Sequence, residues 1–393
     1  MNTVLARVNQ FIETRITQNE PNIVGRFGLY RIFYAVFYLW IIAHYNYREL
    51  ALIPAGEWQP LLPLLWTNAP PNAGLLALLE VLLVGGLVLL LVGYQTRLAT
   101  AVILVTGIIL TTTRYSFGKI DHYDTFMIAY TPFVMLFYNW GKIYSIDALL
   151  RARLGEPVSD PTDSRWQEAW PLLIILFMIV VLFTTGGILK LLPDRNSWLW
   201  HVNVIRKVTF EYNKGMNPNP LAGFIYDTPL IYGSLRFAAV FFETFFFLAL
   251  VNNKWRTFFV SSAVLFHLYN LLFNGITFLD MLIIYALFID WQALYSRWWP
   301  KVLKPQFERL ATPILIAGSV SLAIIIALVW SSSYDSITRT VLRIIPVQPV
   351  WALAAVIALY SVVRSGWNIM QDILAFLRRG NKWNVVPQSA DQT

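Results

Sequence analysis

The sequence predicts an all-α fold, a polytopic transmembrane helical bundle of about ten spans with an interfacial amphipathic helix at its N-terminus. Three observations predict it. Hydrophobic residues make up 57% of the 393-residue chain and charged residues 13%, and the mean hydropathy is +0.55, a balance that no soluble domain of ordinary composition has. Apolar runs with few or no charges recur at lengths able to cross a hydrocarbon core of about 30 Å at about 1.5 Å per residue. Most of the Lys and Arg gather between those runs rather than inside them, as membrane topology requires.

In chain order, Val4, Leu5, Val8, Phe11, Ile12 and Ile16 recur at helical spacing among Arg7, Glu13 and Arg15, the pattern of a helix lying on the membrane surface. Apolar segments follow at 27–44, 74–94 and 98–113. A fourth comes after the polar stretch R-Y-S-F-G-K-I-D-H-Y-D at 114–124 and ends near Trp140. The fifth, 171–189, is closed by Lys190. A long loop rich in Asn, Pro and Gly then leads to segments at 232–251, 258–273 and 276–291. The last two of these face each other across Asn274 and Gly275 as a tight hairpin. Further segments at 313–330 and 346–366 precede a polar tail.

With the N-terminus inside, the inner connections carry about twice as many Lys and Arg as the outer ones. Both termini are therefore expected on the cytoplasmic side of an inner, multi-pass membrane protein. The fifth segment then runs outward and carries Lys190 towards the outer face, where the 114–124 stretch and the Asn274 hairpin also fall. The net charge of +8 is a topology signal here and implies no nucleic acid. The absence of Cys excludes disulfides and thiolate chemistry. No H-E-x-x-H or comparable spacing suggests a metal, and no phosphate-binding or nucleophile-elbow motif occurs.

Ionisable groups in a bilayer cost roughly 2.5–3.5 kcal/mol each, so those present face the bundle interior and find partners. Lys190 has two readings: a snorkelling anchor at a helix end, or a partly desolvated amine able to act as a base. Gly186 and Gly187 just before it admit another helix or a flat ligand close to the backbone. Glu80, His122, Asp124, His267 and Asp280 fall in or near the outer half, with Asn270 one turn below the hairpin and Glu243 near mid-depth. Together with Lys190 they would line a polar chamber opening outward. Each also has a plain structural reading. Glu80 and Asp280 could pair with a basic residue, His267 could hydrogen-bond between helices, and His122 could stand beside Asp121 as a cap of the fourth helix. Arg31 and Arg97, nearer the inner face, read as topology anchors. What the residues leave is proton chemistry, a tuned base with a histidine to donate or polarise.

Several motifs, in order, resemble those of the vitamin K-dependent gamma-carboxylases and the wider HTTM group. They are L-Y-R-I-F-Y-A-V around Arg31, G-Y-Q-T-R-L ending beyond Arg97, D-H-Y-D around His122, Y-N-W-G-K-I-Y-S-I-D-A-L-L at 138–150, G-G-I-L-K-L around Lys190, and F-H-L-Y-N-L-L-F-N-G-I-T-F at 266–278. On that resemblance the chain divides into the interfacial helix at 1–26, an HTTM-like domain at 27–299, two added spans at 300–370 and a polar cytoplasmic tail at 371–393. The resemblance implies a membrane enzyme in which Lys190 deprotonates a reduced naphthoquinone of the vitamin K or menaquinol type and His122 stabilises developing charge. Oxygen and carbon dioxide would complete the chemistry on an acceptor such as an exported peptide or protein. Gly186, Gly187, His267 and Asn270 would lie at the quinone, which enters from the lipid. The carboxylases' large extramembrane domain and their disulfide have no counterpart after Trp299 or among the residues. A non-catalytic module, a transporter or export partner with Lys190 as an anchor, is the alternative.

Overall fold

The computed structural model describes residues 21–42, 47–118, 125–157, 159–163, 166–192, 228–274, 278–298 and 347–380. Among them the chain is helical with no strand. The helices are α1 (Ile23–Ile42), α2 (Ala73–Val92), α3 (Thr96–Tyr115), a widened turn of helix at Phe126–Tyr130 running into α4 (Thr131–Phe137), α5 (Ile146–Arg153), α6 (Trp166–Leu191), α7 (Pro229–Thr244) with a tighter continuation at Phe245–Leu250, α8 (Asn253–Asn274), α9 (Leu279–Ala286), α10 (Trp291–Trp298) and α11 (Val347–Gly380).

Six stretches, those containing α1, α2, α3, α6, α7 and α11, are long and apolar enough to cross a membrane, and α9 with α10 makes a seventh if that bent pair is one span. The chain is a multi-pass membrane protein, with six or seven such spans among the described residues where the sequence suggested ten. The differences have local causes. The fourth apolar segment gives a helix of only Phe126–Phe137. Helix α8 is long enough, but Lys254, Arg256, Ser261, Ser262, His267 and Asn270 dilute it. The eighth segment breaks by 71° between α9 and α10, where Asp290 caps the new helix by accepting from the Ala293 amide at 2.9 Å. Segment 313–330 and the amphipathic stretch at 4–16 lie outside the described residues. Helix α11 continues to Gly380, past the expected end of its span at 366.

The chain divides into two compact units, 1–179 with 277–350, and 180–276 with 351–393. In the first unit α1 is the central helix, since nearly all of its length is buried. Tyr34 donates to the Met127 carbonyl at 2.7 Å, and Arg26 Nε donates to that of Leu287 at 2.8 Å. Helices α2 and α3 form a hairpin through Gly93, whose φ of +72° closes α2 in the left-handed conformation glycine adopts without strain.

Three stretches singled out by their motifs meet at that hairpin. Arg31 of α1 is fully buried. Its guanidinium donates to the carbonyls of Leu90 and Leu91 at the end of α2, the latter at 2.9 Å, and to that of Tyr144 at 2.5 Å. The Leu90 carbonyl also accepts from the Gly93 amide that closes α2, and that of Leu91 lies in the last turn, where carbonyls have no partner within the helix. Asp147 accepts from the amides of Gln95 at 2.8 Å and Thr96 at 2.9 Å, so it caps α3 from another segment. Ser145 caps α5 by accepting from the Ala148 amide at 2.9 Å. Trp140 Nε1 reaches Thr100 Oγ1 at 3.1 Å. Arg31 is thus an internal clamp, not the topology anchor expected. Arg97 is exposed at the hairpin, as an anchor would be.

In the second unit the end of α6 packs with α7, α8 and α11 around phenylalanines. Phe183 stacks on Phe246 with ring centroids 4.4 Å apart, and Phe242, Phe259 and Phe266 fill in around them. Lys254 of α8 bridges to Asp372 of α11 at 2.5 Å. Above that pair lies a groove of about 300 Å³ lined by Trp255, Phe258, Ile369 and Leu374 among others.

Candidate functional site

Helix α6 forms because 171–189 offers an unbroken apolar run, and it ends one residue after Lys190. The lysine Nζ lies 2.6 Å from Glu243 Oε1 and 2.5 Å from Oε2, so both carboxylate oxygens take one ammonium. The lysine side chain is 22% exposed and the glutamate side chain 6%. Glu243 is well inside the span Leu230–Leu250, about 20 Å of helix from its start at ~1.5 Å per residue. The partner therefore meets the amine in the last turn of α7, inside the span, where the helix tightens into Phe245–Leu250.

The two glycines serve this pairing differently. A Cβ on Gly187 would stand 2.4 Å from the Thr244 amide nitrogen and 2.8 Å from the Glu243 carbonyl carbon, so its bareness is what lets α7 come close. A Cβ on Gly186 would meet only Glu243 Oε2, at 3.7 Å. Helix approach accounts for Gly187, and room for a further group remains at Gly186. Two hydroxyls, Thr184 one turn before Gly187 and Thr244 beside it, are buried and have no hydrogen-bond partner among the described residues.

His267 of α8 is fully buried, its ring tilted against Phe183 at 5.9 Å and Phe266 at 5.5 Å. Phe183 lies two turns before Lys190 on α6, so the imidazole packs against the same helix about 10 Å along it from the lysine at ~1.5 Å per residue. Asn270 spends its amide on its own helix, donating to the Phe266 carbonyl at 2.9 Å. Lys190, Glu243, Gly186, Gly187, His267 and Asn270 all fall in the second unit. Glu80 and Asp280 fall in the first. Glu80 is fully buried there with Arg48 Nε at 3.6 Å, the basic partner its structural reading requires, and Asp280 opens α9 half-buried. His122 and Asp124 lie outside the described residues.

Sequence reasoning missed Arg236 of α7, a lone cation inside an apolar run. Counting basic residues by connection passes over it because it belongs to none. It also missed Asp147 as the outside cap of α3, a role that needs the fold to be seen.

No family model matches the chain, no curated protein matches it, and no solved structure matches it.

Proposed function

We propose that the protein is a gamma-carboxylase-like (HTTM) membrane enzyme whose base is the Lys190–Glu243 pair and whose cofactor is a reduced naphthoquinone. The observation that carries this reading is that Lys190 is held by a buried carboxylate within the helices, with little of its side chain left to reach the headgroups. An ammonium and a carboxylate kept from bulk water can exchange a proton at small cost, because each charged form loses its hydration and depends on the other. In this arrangement Lys190 passes its own proton to Glu243 and takes one from a bound phenolic hydroxyl, so the pair ends as ammonium and carboxylic acid. The ammonium then faces the new oxyanion and stabilises it. The unspent Thr184 and Thr244 hydroxyls and the room beside Gly186 fit a ring oxygen. When bound, the quinol with oxygen would supply the strong base, and carbon dioxide the new carboxyl group, on an acceptor such as an exported peptide. His122 keeps the charge-stabilising role that the resemblance gives it. The inward charge bias orients this site outward from an inner membrane, with both termini cytoplasmic.

A second reading has its own support in the close approach of α7 to Gly187. There the ion pair is a cross-brace of a non-catalytic module, a transporter or an export partner. The experiment that separates the two is incubation of purified protein with reduced menaquinone, oxygen and labelled bicarbonate. Quinone epoxide in the wild type, lost in Lys190→Ala and reduced in Glu243→Gln, supports the enzyme. A folded wild type that makes no epoxide supports the brace.

A further inference from the structure

Helix α7 carries two charged side chains along its length, Glu243 and Arg236. Its faces are well separated. Leu230, Phe237 and Phe241 are 80%, 62% and 53% exposed, whereas Tyr232, Val240 and Glu243 are 4%, 3% and 5% exposed. Positions 232, 236, 240 and 243 share one helical stripe, so Arg236 is on the buried side and not on the lipid side. Its guanidinium carbon sits 5.6 Å from the centre of the Tyr232 ring, in reach of its π face. Nε and Nη1 are both buried, and neither finds an acceptor among the described residues. The acid on the same stripe, Glu243, has both oxygens engaged by Lys190. From Val180 to the end of α6, together with α7, the second unit therefore carries two cations, Lys190 and Arg236, and one anion, Glu243.

A guanidinium offers five donors in a planar fork, matched to two oxygens of a carboxylate or phosphate. Buried donors left unmet are costly, and an arginine inside a membrane helix needs an acceptor. We propose that Arg236 is an anion-binding residue that takes a carboxylate or phosphate group on the buried stripe of α7, about 10 Å along the helix from Glu243 at ~1.5 Å per residue. The Tyr232 ring stands beside the guanidinium and attracts its charge. A neutral ring brings no negative charge to balance the guanidinium, so the anion proposed here is a separate ligand from the quinol. It stands on binding alone, whether or not Lys190 is catalytic.

The test uses the purified full-length protein in an uncharged detergent, with wild type, Arg236→Gln and Arg236→Lys compared. Thermal unfolding is followed while inorganic phosphate or acetate is titrated against chloride at equal ionic strength. Native mass spectrometry is run with added phosphatidylglycerol or phosphatidylcholine. The expected result is a saturable rise in Tm with phosphate or acetate, or selective retention of phosphatidylglycerol, weakened at least tenfold in Arg236→Gln and about fivefold in Arg236→Lys, which keeps the charge but loses the fork. Retention of phosphatidylglycerol without a response to free anions assigns the group to a lipid headgroup. The reverse assigns it to a soluble or substrate-borne anion. The proposal is overturned if the wild type responds to neither, or responds no better than chloride. It is also overturned if the Arg236→Lys variant, which decides the matter should Arg236→Gln not fold, binds as tightly as the wild type.

Discussion

Lys190 Nζ is held between the two carboxylate oxygens of Glu243, at 2.6 and 2.5 Å, and this contact ties the last turn of α6 to the last turn of α7. Both of its partners are largely withdrawn from solvent. Removing one therefore leaves the other as an uncompensated charge, which costs far more than the pair is worth intact.

A double-mutant cycle reads that asymmetry. Lys190→Met and Glu243→Gln are each expected to lower stability by about 3 kcal/mol, the scale for breaking a buried pair. The combined variant is expected to recover about half of the summed loss, because neither charge is then stranded. Thermal unfolding in detergent checks it, and strictly additive losses would show that the contact is not a coupled pair.

The glycines give a contrast that needs no assay of function. Gly187→Ala places a methyl group against the α7 backbone, where nothing flexible can yield. A loss of about 1–3 kcal/mol is expected, as for other overpacked contacts. Gly186→Ala meets one carboxylate oxygen at ordinary contact distance and is expected to be neutral or slightly stabilising through helix propensity. Comparing the two Tm values suffices; equal effects would contradict the packing described.

The clamp in the first unit makes a third prediction. Gly93→Ala would put a Cβ 2.3 Å from that of Ser145 at a backbone φ of +72°, and it is expected to cost more than about 2 kcal/mol. Asp147→Ala removes the cap of α3 and is expected to cost about 1–2 kcal/mol. Arg31→Lys retains the charge but cannot span the Leu91 and Tyr144 carbonyls together, and it should be nearly as damaging as Arg31→Met. Limited proteolysis of the α2–α3 turn, accelerated in each variant, would check the placement.

How far the sequence could be read differed from element to element. Helices α2, α3 and α6 were legible because long apolar runs with few or no charges admit one interpretation in a membrane. The segment at 258–273 falls within α8, but the α9–α10 break was not legible, since apolarity alone is blind to a side-chain cap such as Asp290. Among site residues, Lys190 and Glu243 were both nominated, but their pairing was not, because fifty-three residues separate them and spacing says nothing across a loop. Arg31 was misjudged for the opposite reason. Its position near a helix start suggested a charge at the headgroups, whereas it turns inward to carbonyls at the end of α2 and at Tyr144. Arg236 lay in plain view as one cation in L-R-F-A-A-V, and only the burial of its stripe distinguishes it from a snorkelling residue.

The proton-accepting role of the Lys190–Glu243 pair is tested most directly by infrared difference spectroscopy as reduced menaquinone is added to the protein in nanodiscs. A new carboxylic-acid carbonyl band is expected in the wild type, shifted by ¹³C-labelling of glutamate and absent in Glu243→Gln and Lys190→Met. A wild-type spectrum in which Glu243 stays a carboxylate while the quinol binds would contradict the account.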